Sequence, residues 1–120
     1  MKVKIELSIQ NEVNRFLCDM GTAQELLMQI CDSKIQAHLC DEVLRNINIQ
    51  VLTSKNTAEL SYKRMMKLKL NTLQCYVLYK VFMELPEMVF MDLDLIRKIL
   101  LMIDQAIPVQ GKLHTITKDI

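Results

Sequence analysis

Polar and apolar residues alternate cleanly over the first nine positions, with Val3, Ile5, Leu7 and Ile9 on one face and Lys2, Lys4, Glu6 and Ser8 on the other. Period-two alternation predicts a strand with one buried and one wet face. The period then lengthens: Val13, Phe16, Leu17 and Met20 fall at helical spacing, and Gly21 stands where a left-handed helix stop would use it, so the first helix is expected over residues 10–20. Thr22-Ala23-Gln24-Glu25 reads as a capping box opening a second helix over residues 23–31, and Ser33-Lys34-Ile35-Gln36 as one opening a third over residues 34–46. Residues 46–53 alternate again through Ile47, Ile49 and Val51, which predicts a second strand, followed by the turn-like cluster Ser54-Lys55-Asn56-Thr57.

Leu60, Tyr62, Met66, Leu68 and Leu70 keep period two and predict a long strand, although Ala58, Glu59, Leu60 and Lys63 to Met66 favour helix by propensity. From Leu73 to Leu85 nearly every residue is apolar or aromatic, so a central helix, buried on more than one side and limited by Pro86, is expected there. Asp92 or Asp94 should cap a final helix whose stripe of Leu95, Ile96, Ile99, Leu100, Ile103 and Ile107 stops near Pro108; Leu113 to Thr117 is a short terminal strand candidate. The phrase Met1-Lys2-Val3-Lys4-Ile5 returns as Met66-Lys67-Leu68-Lys69-Leu70, each copy leading into a helix, so residues 1–20 and 66–85 read as β-α half repeats of one domain.

A second parse of the middle pairs Leu27–Cys31 with Ile35–Leu39 as a hairpin across Asp32-Ser33, with Asp41–Asn46 as a short helix. That arrangement resembles the open sandwich of the HPr phosphocarrier family over less than half the chain. The family's histidine at the start of the first helix is replaced here by Gln10-Asn11, so the resemblance carries no phosphocarrier activity. Leu73–Leu85 followed by Asp92–Ile103 is loosely similar to the opening helices of a winged-helix DNA binder, but no basic recognition helix follows.

At 120 residues, 51% hydrophobic and 24% charged, the chain has the size and composition of one packed domain. Two glycines and two prolines favour long helices over a loop-rich β fold and leave no Gly-rich phosphate cradle. A net charge of +1 is too small for a global field, so an anionic partner must be met by a local patch. The early lysines interrupt any signal-peptide core, and the longest apolar runs are far short of the ~20 residues a membrane span needs. The expectation is a cytoplasmic protein with no membrane partner, whose Cys18, Cys31, Cys40 and Cys75 are buried free thiols.

The inventory for chemistry is thin. His38 and Cys40 are two apart and point to different faces of a helix, no CxxC or HxxxH spacing occurs, and His114 lies in a polar tail, so neither a catalytic site, a metal site nor a cofactor is expected. The chain reads as a non-enzymatic protein. Lys63, Arg64, Lys67 and Lys69 cluster without an acid, while Glu84, Glu87, Asp92 and Asp94 cluster without a base, which suits a contact between two copies. Met88, Val89, Phe90 and Met91 form an apolar connection between two helices, a natural place for a partner to bind. The leading expectation is therefore an interaction or regulatory protein that self-associates or takes a protein partner through residues 88–91. The alternative is a nucleic-acid accessory protein using a basic patch of Lys2, Lys4, Lys63, Arg64, Lys67 and Lys69; against it, every tyrosine and phenylalanine is assigned to core or opposite-face positions, leaving none to stack bases. The fold expected is a helix-rich α+β domain in two layers, with helices packed on one face of a short, mostly antiparallel sheet.

Overall fold

A computed structural model describes residues 2–106. The elements run β1 (Lys2–Ser8), α1 (Val13–Ile30), α2 (Lys34–Leu60), β2 (Met65–Asn71), α3 (Thr72–Glu84), a 3-10 turn (Glu87–Val89) and α4 (Leu93–Ala106). Both strands obey the period-two rule: Val3, Ile5 and Leu7 of β1, with Met66, Leu68 and Leu70 of β2, face the helices, and the residues between them face outward. The strands pair antiparallel as a two-stranded ribbon, with Lys2 opposite Asn71, Lys4 opposite Lys69 and Glu6 opposite Lys67. The helix-rich α+β class, with helices on one face of the ribbon, is thus the fold. Within the ribbon, residues 2–5 and 67–70 of the repeated phrase lie side by side in opposite directions. The equivalent residues Lys4 and Lys69 are directly opposed, so a local two-fold axis passes between them.

The core joins the inner ribbon face to Phe16 and Met20 of α1, Leu44, Ile47 and Val51 of α2, Leu78 and Phe82 of α3, and Ile96, Ile99 and Ile103 of α4. Burying these side chains is the main favourable term, at about 25 cal/mol per Å² of apolar surface. Polar side chains register the α1–α2 hairpin: Arg45 pairs with Asp41, Asp41 accepts from Gln24, and Gln24 accepts from Asn48. Among the described residues no helix is long and apolar enough to cross a membrane.

Three expectations fail in the middle of the chain. Gly21 does not stop a helix; α1 runs through it, and Thr22 donates its hydroxyl back to the Cys18 carbonyl instead of capping a new helix. A glycine inside a helix costs about 1 kcal/mol, less than the burial of Val13, Phe16, Met20, Ala23 and Leu27 along one continuous stripe returns. The strand expected over residues 46–53 and the turn over residues 54–57 are both part of α2. Leu44, Ile47 and Val51 follow the helical period into the core, which leaves the alternating Ile49 on the surface, and no glycine or proline interrupts the continuation. The hairpin parse fails as well, because residues 27–30 and 34–39 are helical.

The long strand expected from residue 60 starts only at Met65. The other boundaries follow their caps. Ser33 accepts from Gln36 N–H, Asn71 forms a full capping box with Gln74, and Asp92 accepts from Leu95 N–H at the start of α4. The 113–117 strand candidate and His114 lie outside the described residues.

Candidate polyanion-binding ribbon

The outward face of the ribbon carries Lys2, Lys4, Lys67 and Lys69, all exposed, with Glu6 as the sole acid on the strands. Lys63 and Arg64 extend this surface through the α2–β2 turn, where the Arg64 carbonyl accepts from Ile9 N–H and so ties the turn to the end of β1. Side chains on one strand face stand about 6.7 Å apart along the strand and about 5 Å from their cross-strand partners, which spreads the cations as a grid. Six cations and one carboxylate give this region a net +5 on a chain whose total is +1, so the rest of the chain nets −4.

The cations divide sharply by location. Of the thirteen lysines and arginines among the described residues, six form ion pairs, and all six are on helices: Arg15 with Asp92, Arg45 with Asp41, Lys55 with Glu59, Lys80 with Glu84, Arg97 with Glu87 and Lys98 with Glu12. Six of the remaining seven are the ribbon and turn residues; Lys34 is the seventh. Like charges directly opposed across two strands, as at Lys4 and Lys69, are mildly destabilising. The acidic cluster is different, because Glu84, Glu87 and Asp92 are each paired with a cation of the chain and only Asp94 is not, among the described residues.

Beside the ribbon, the second half of α2 and the start of β2 frame a groove of about 360 Å³. The hydroxyl residues Thr53, Ser54 and Thr57 line one wall and Lys63, Met65 and Lys67 the other, with Glu6 at the rim. The turn closing this end of the groove is a helix stop of the Schellman type: Tyr62 N–H bonds the Glu59 carbonyl and Lys63 N–H the Ala58 carbonyl. The residue that must take the left-handed conformation in this motif is Tyr62, at φ 56°. Glycine usually fills that position, and a bulky side chain there costs about 1 kcal/mol. Tyr62 is 95% exposed, so its ring recovers none of that cost by packing. The period-two reading had set Tyr62 within a strand; it is an exposed aromatic beside Lys63 and Arg64, and the helix propensity of residues 58–60 was the signal for the turn that places it there.

The apolar connection behaves unevenly. Phe90 packs edge-on against Phe82, ring centres 5.4 Å apart, and Val89 also leans on the core. Met88 and Met91 point outward, with Met88 90% exposed. Asp19 of α1, a buried carboxylate, fixes the segment by accepting the N–H groups of Met91 at 2.6 Å and Asp92 at 3.1 Å.

The expectation of four buried cysteines is corrected at two positions. All four are free thiols, but Cys18 is exposed, on the face of α1 away from Phe16 and Met20, and Cys31 is half-buried just past the end of that helix. Burial pushes the thiols of Cys40 and Cys75 up to about 11, which keeps them protonated near neutral pH. Burial also raises Cys31, partly offset by a side-chain hydrogen bond with Cys40 and by the Lys80 charge. Burial pulls the nearby Lys80 ammonium down, but the hydrogen bond and charge of Glu84 outweigh it, with smaller support from Tyr76 and Cys31, and hold it above its ordinary value. His38 is exposed and Cys40 buried on separate faces of α2, and no three potential metal-ligating side chains converge among the described residues. Comparison with known protein families, with curated proteins and with solved structures finds no match to this chain.

Proposed function

We propose that this chain is a non-enzymatic nucleic-acid-binding protein whose ribbon face holds backbone phosphates. The observation that carries this reading is the segregation of its cations among the described residues: six of the seven helical lysines and arginines are paired, Lys34 being the exception, while none of the six on the ribbon and its turn is. Surface lysines also serve solubility and keep ribbon edges from pairing. That use does not require six of them to gather on one surface, two directly opposed, in a chain of nearly neutral charge. A phosphate backbone supplies the missing counter-charge, and each contact releases condensed counterions. The field is local and acts within a Debye length of about 8–10 Å, consistent with contact binding more than long-range steering. Self-association through residues 88–91 has less support, since Val89 and Phe90 lean inward and three of the four acids expected to meet the basic patch, all but Asp94, are already paired.

The test is oligonucleotide binding measured across a salt series, for the wild type and for Lys67→Gln/Lys69→Gln. Binding in low salt should weaken linearly in log–log form, and the double change should flatten the slope by about 0.7 per lost contact on a single strand. No binding at low salt, or a slope the double change leaves untouched, refutes the reading.

A further inference from the structure

Building on the nucleic-acid reading above, we infer that Tyr62 is a base-stacking residue, and that the preferred ligand is single-stranded nucleic acid whose phosphates cross Lys63, Arg64 and the ribbon lysines. Three observations converge on this side chain. Its backbone is left-handed, φ 56°, at a helix stop that glycine would make without strain. Its ring is 95% exposed, so no packing inside the chain accounts for an aromatic residue there. It immediately precedes the two turn cations, and Lys63 is itself a wall of the hydroxyl-lined groove.

The chemistry of that neighbourhood is the chemistry a single strand offers. A base presents a flat π face to an exposed aromatic ring whatever its identity, and the phosphates on either side meet lysine and arginine. Threonine and serine hydroxyls along the groove can exchange hydrogen bonds with sugar and phosphate oxygens, and a groove of about 360 Å³ lies in the range of small-ligand sites. A duplex keeps its bases stacked on one another and offers Tyr62 no free face, so the tyrosine selects the single strand while the lysines alone are indifferent to it.

The experiment compares the wild type, Tyr62→Gly and Tyr62→Phe in binding an oligothymidylate, an abasic oligomer of equal charge and a duplex, each over a salt series. The wild type should favour the oligothymidylate over both other ligands. Tyr62→Phe should bind within about twofold of the wild type. Tyr62→Gly should lose about tenfold or more on the oligothymidylate, as expected for one stacked base, with an unchanged salt slope and no loss on the abasic oligomer. Tyr62→Gly should also melt at a higher temperature than the wild type, which separates lost contact from lost folding. The chain holds no tryptophan, so quenching of tyrosine emission on binding, absent in Tyr62→Gly, gives a direct readout. Equal oligothymidylate affinity for wild type and Tyr62→Gly, equal losses on both oligomers, or a preference for duplex overturns the inference while leaving the lysine-based reading intact. Failure of the wild type to bind any of the three overturns both.

Discussion

Removing the carboxylate of Asp19 should cost more stability than any other single polar change in this chain. The side chain is 1% exposed and accepts two backbone N–H groups, those of Met91 and Asp92, from the connection that leads into α4. Asp92 then caps α4 through Leu95 N–H, so a negative charge is held at the positive end of that helix dipole. Hydrogen bonds to a charged group contribute about 1.5–3 kcal/mol each, and their removal leaves buried donors without partners. Part of that loss is recoverable, because Met91 lies at the surface and its amide can turn to water. Asp19→Ala should therefore lose about 3 kcal/mol. Asp19→Asn should lose about 2 kcal/mol, since its amide oxygen can keep one bond but its NH2 group faces the other N–H. The larger loss corresponds to roughly a 10 °C fall in melting temperature for a domain of this size. Urea denaturation with a common slope measures both variants, and proteolysis between residues 88 and 92 should accelerate as Phe90 loses its seat on Phe82. A loss below about 1 kcal/mol for Asp19→Ala, or an Asp19→Asn protein as stable as the wild type, refutes the view that this carboxylate anchors the connection.

Two further expectations concern stability. Gly21→Ala should stabilise the fold by about 0.5–1 kcal/mol in chemical denaturation, because the residue is inside α1 and an added Cβ meets nothing within 4 Å; a neutral or destabilising result would contradict an unstrained helix there. Stability should also decline in alkali. Burial lifts Cys40 and Cys75 from 9.0 to about 11, and Cys31, Tyr79 and Lys80 also stand above their ordinary values. The unfolded chain therefore loses these protons first; for Cys40 and Cys75 the stabilising contribution is complete below about pH 9 and disappears as pH rises through about 11, each adding up to about 1.4 kcal/mol per pH unit, and Cys31, Tyr79 and Lys80 act in the same direction. Denaturation under reducing conditions at pH 7 and pH 10.5 checks this, and equal stabilities would show that the thiols titrate alike folded and unfolded.

Where one period ran unopposed up to a firm boundary residue, the sequence was readable. The strand at residues 2–9, the central helix ending at Pro86 and the final helix opening at Asp92 are each within a few residues of β1, α3 and α4. Reading failed where two periods overlapped. Residues 44–53 satisfy both a strand alternation and a helical stripe, and only the position of the core decides that Leu44, Ile47 and Val51 face inward together. Gly21 failed for a related reason: a local preference of about 1 kcal/mol is set against a tertiary contact of several kcal/mol. The lysines at positions 2, 4, 67 and 69 were legible as a wet strand face because alternation alone fixes the side. Their opposition across the ribbon was not, since pairing depends on residues separated by the whole α1–α2 hairpin. Tyr62 was missed because one residue's shift between strand and helix stop changes it from a half-buried position to a fully exposed one.

Apart from Gly21 inside α1 and the unpaired buried Asn48 Oδ1, the local costs among the described residues gather at one place. Helix ends are capped by Ser33, Asn71 and Asp92, six of the seven helical cations are paired, and the buried Asp19 has two donors. The ribbon and its turn depart from this pattern twice. Lys4 faces Lys69 with no acid between them, at a cost of a few tenths of a kcal/mol to about 1 kcal/mol, and Tyr62 holds a conformation that costs about as much again. Among the described residues, neither cost is offset by an ion pair or by packing of the side chain. A stability of about 5–15 kcal/mol makes such losses noticeable, and each is removable by a single substitution. Local costs that a protein retains although one mutation would remove them collect where a surface works on something outside itself. On that argument Lys69→Gln, which relieves the cross-strand repulsion, should make the protein more stable and a poorer ligand for nucleic acid together. A purely structural ribbon predicts the first change without the second.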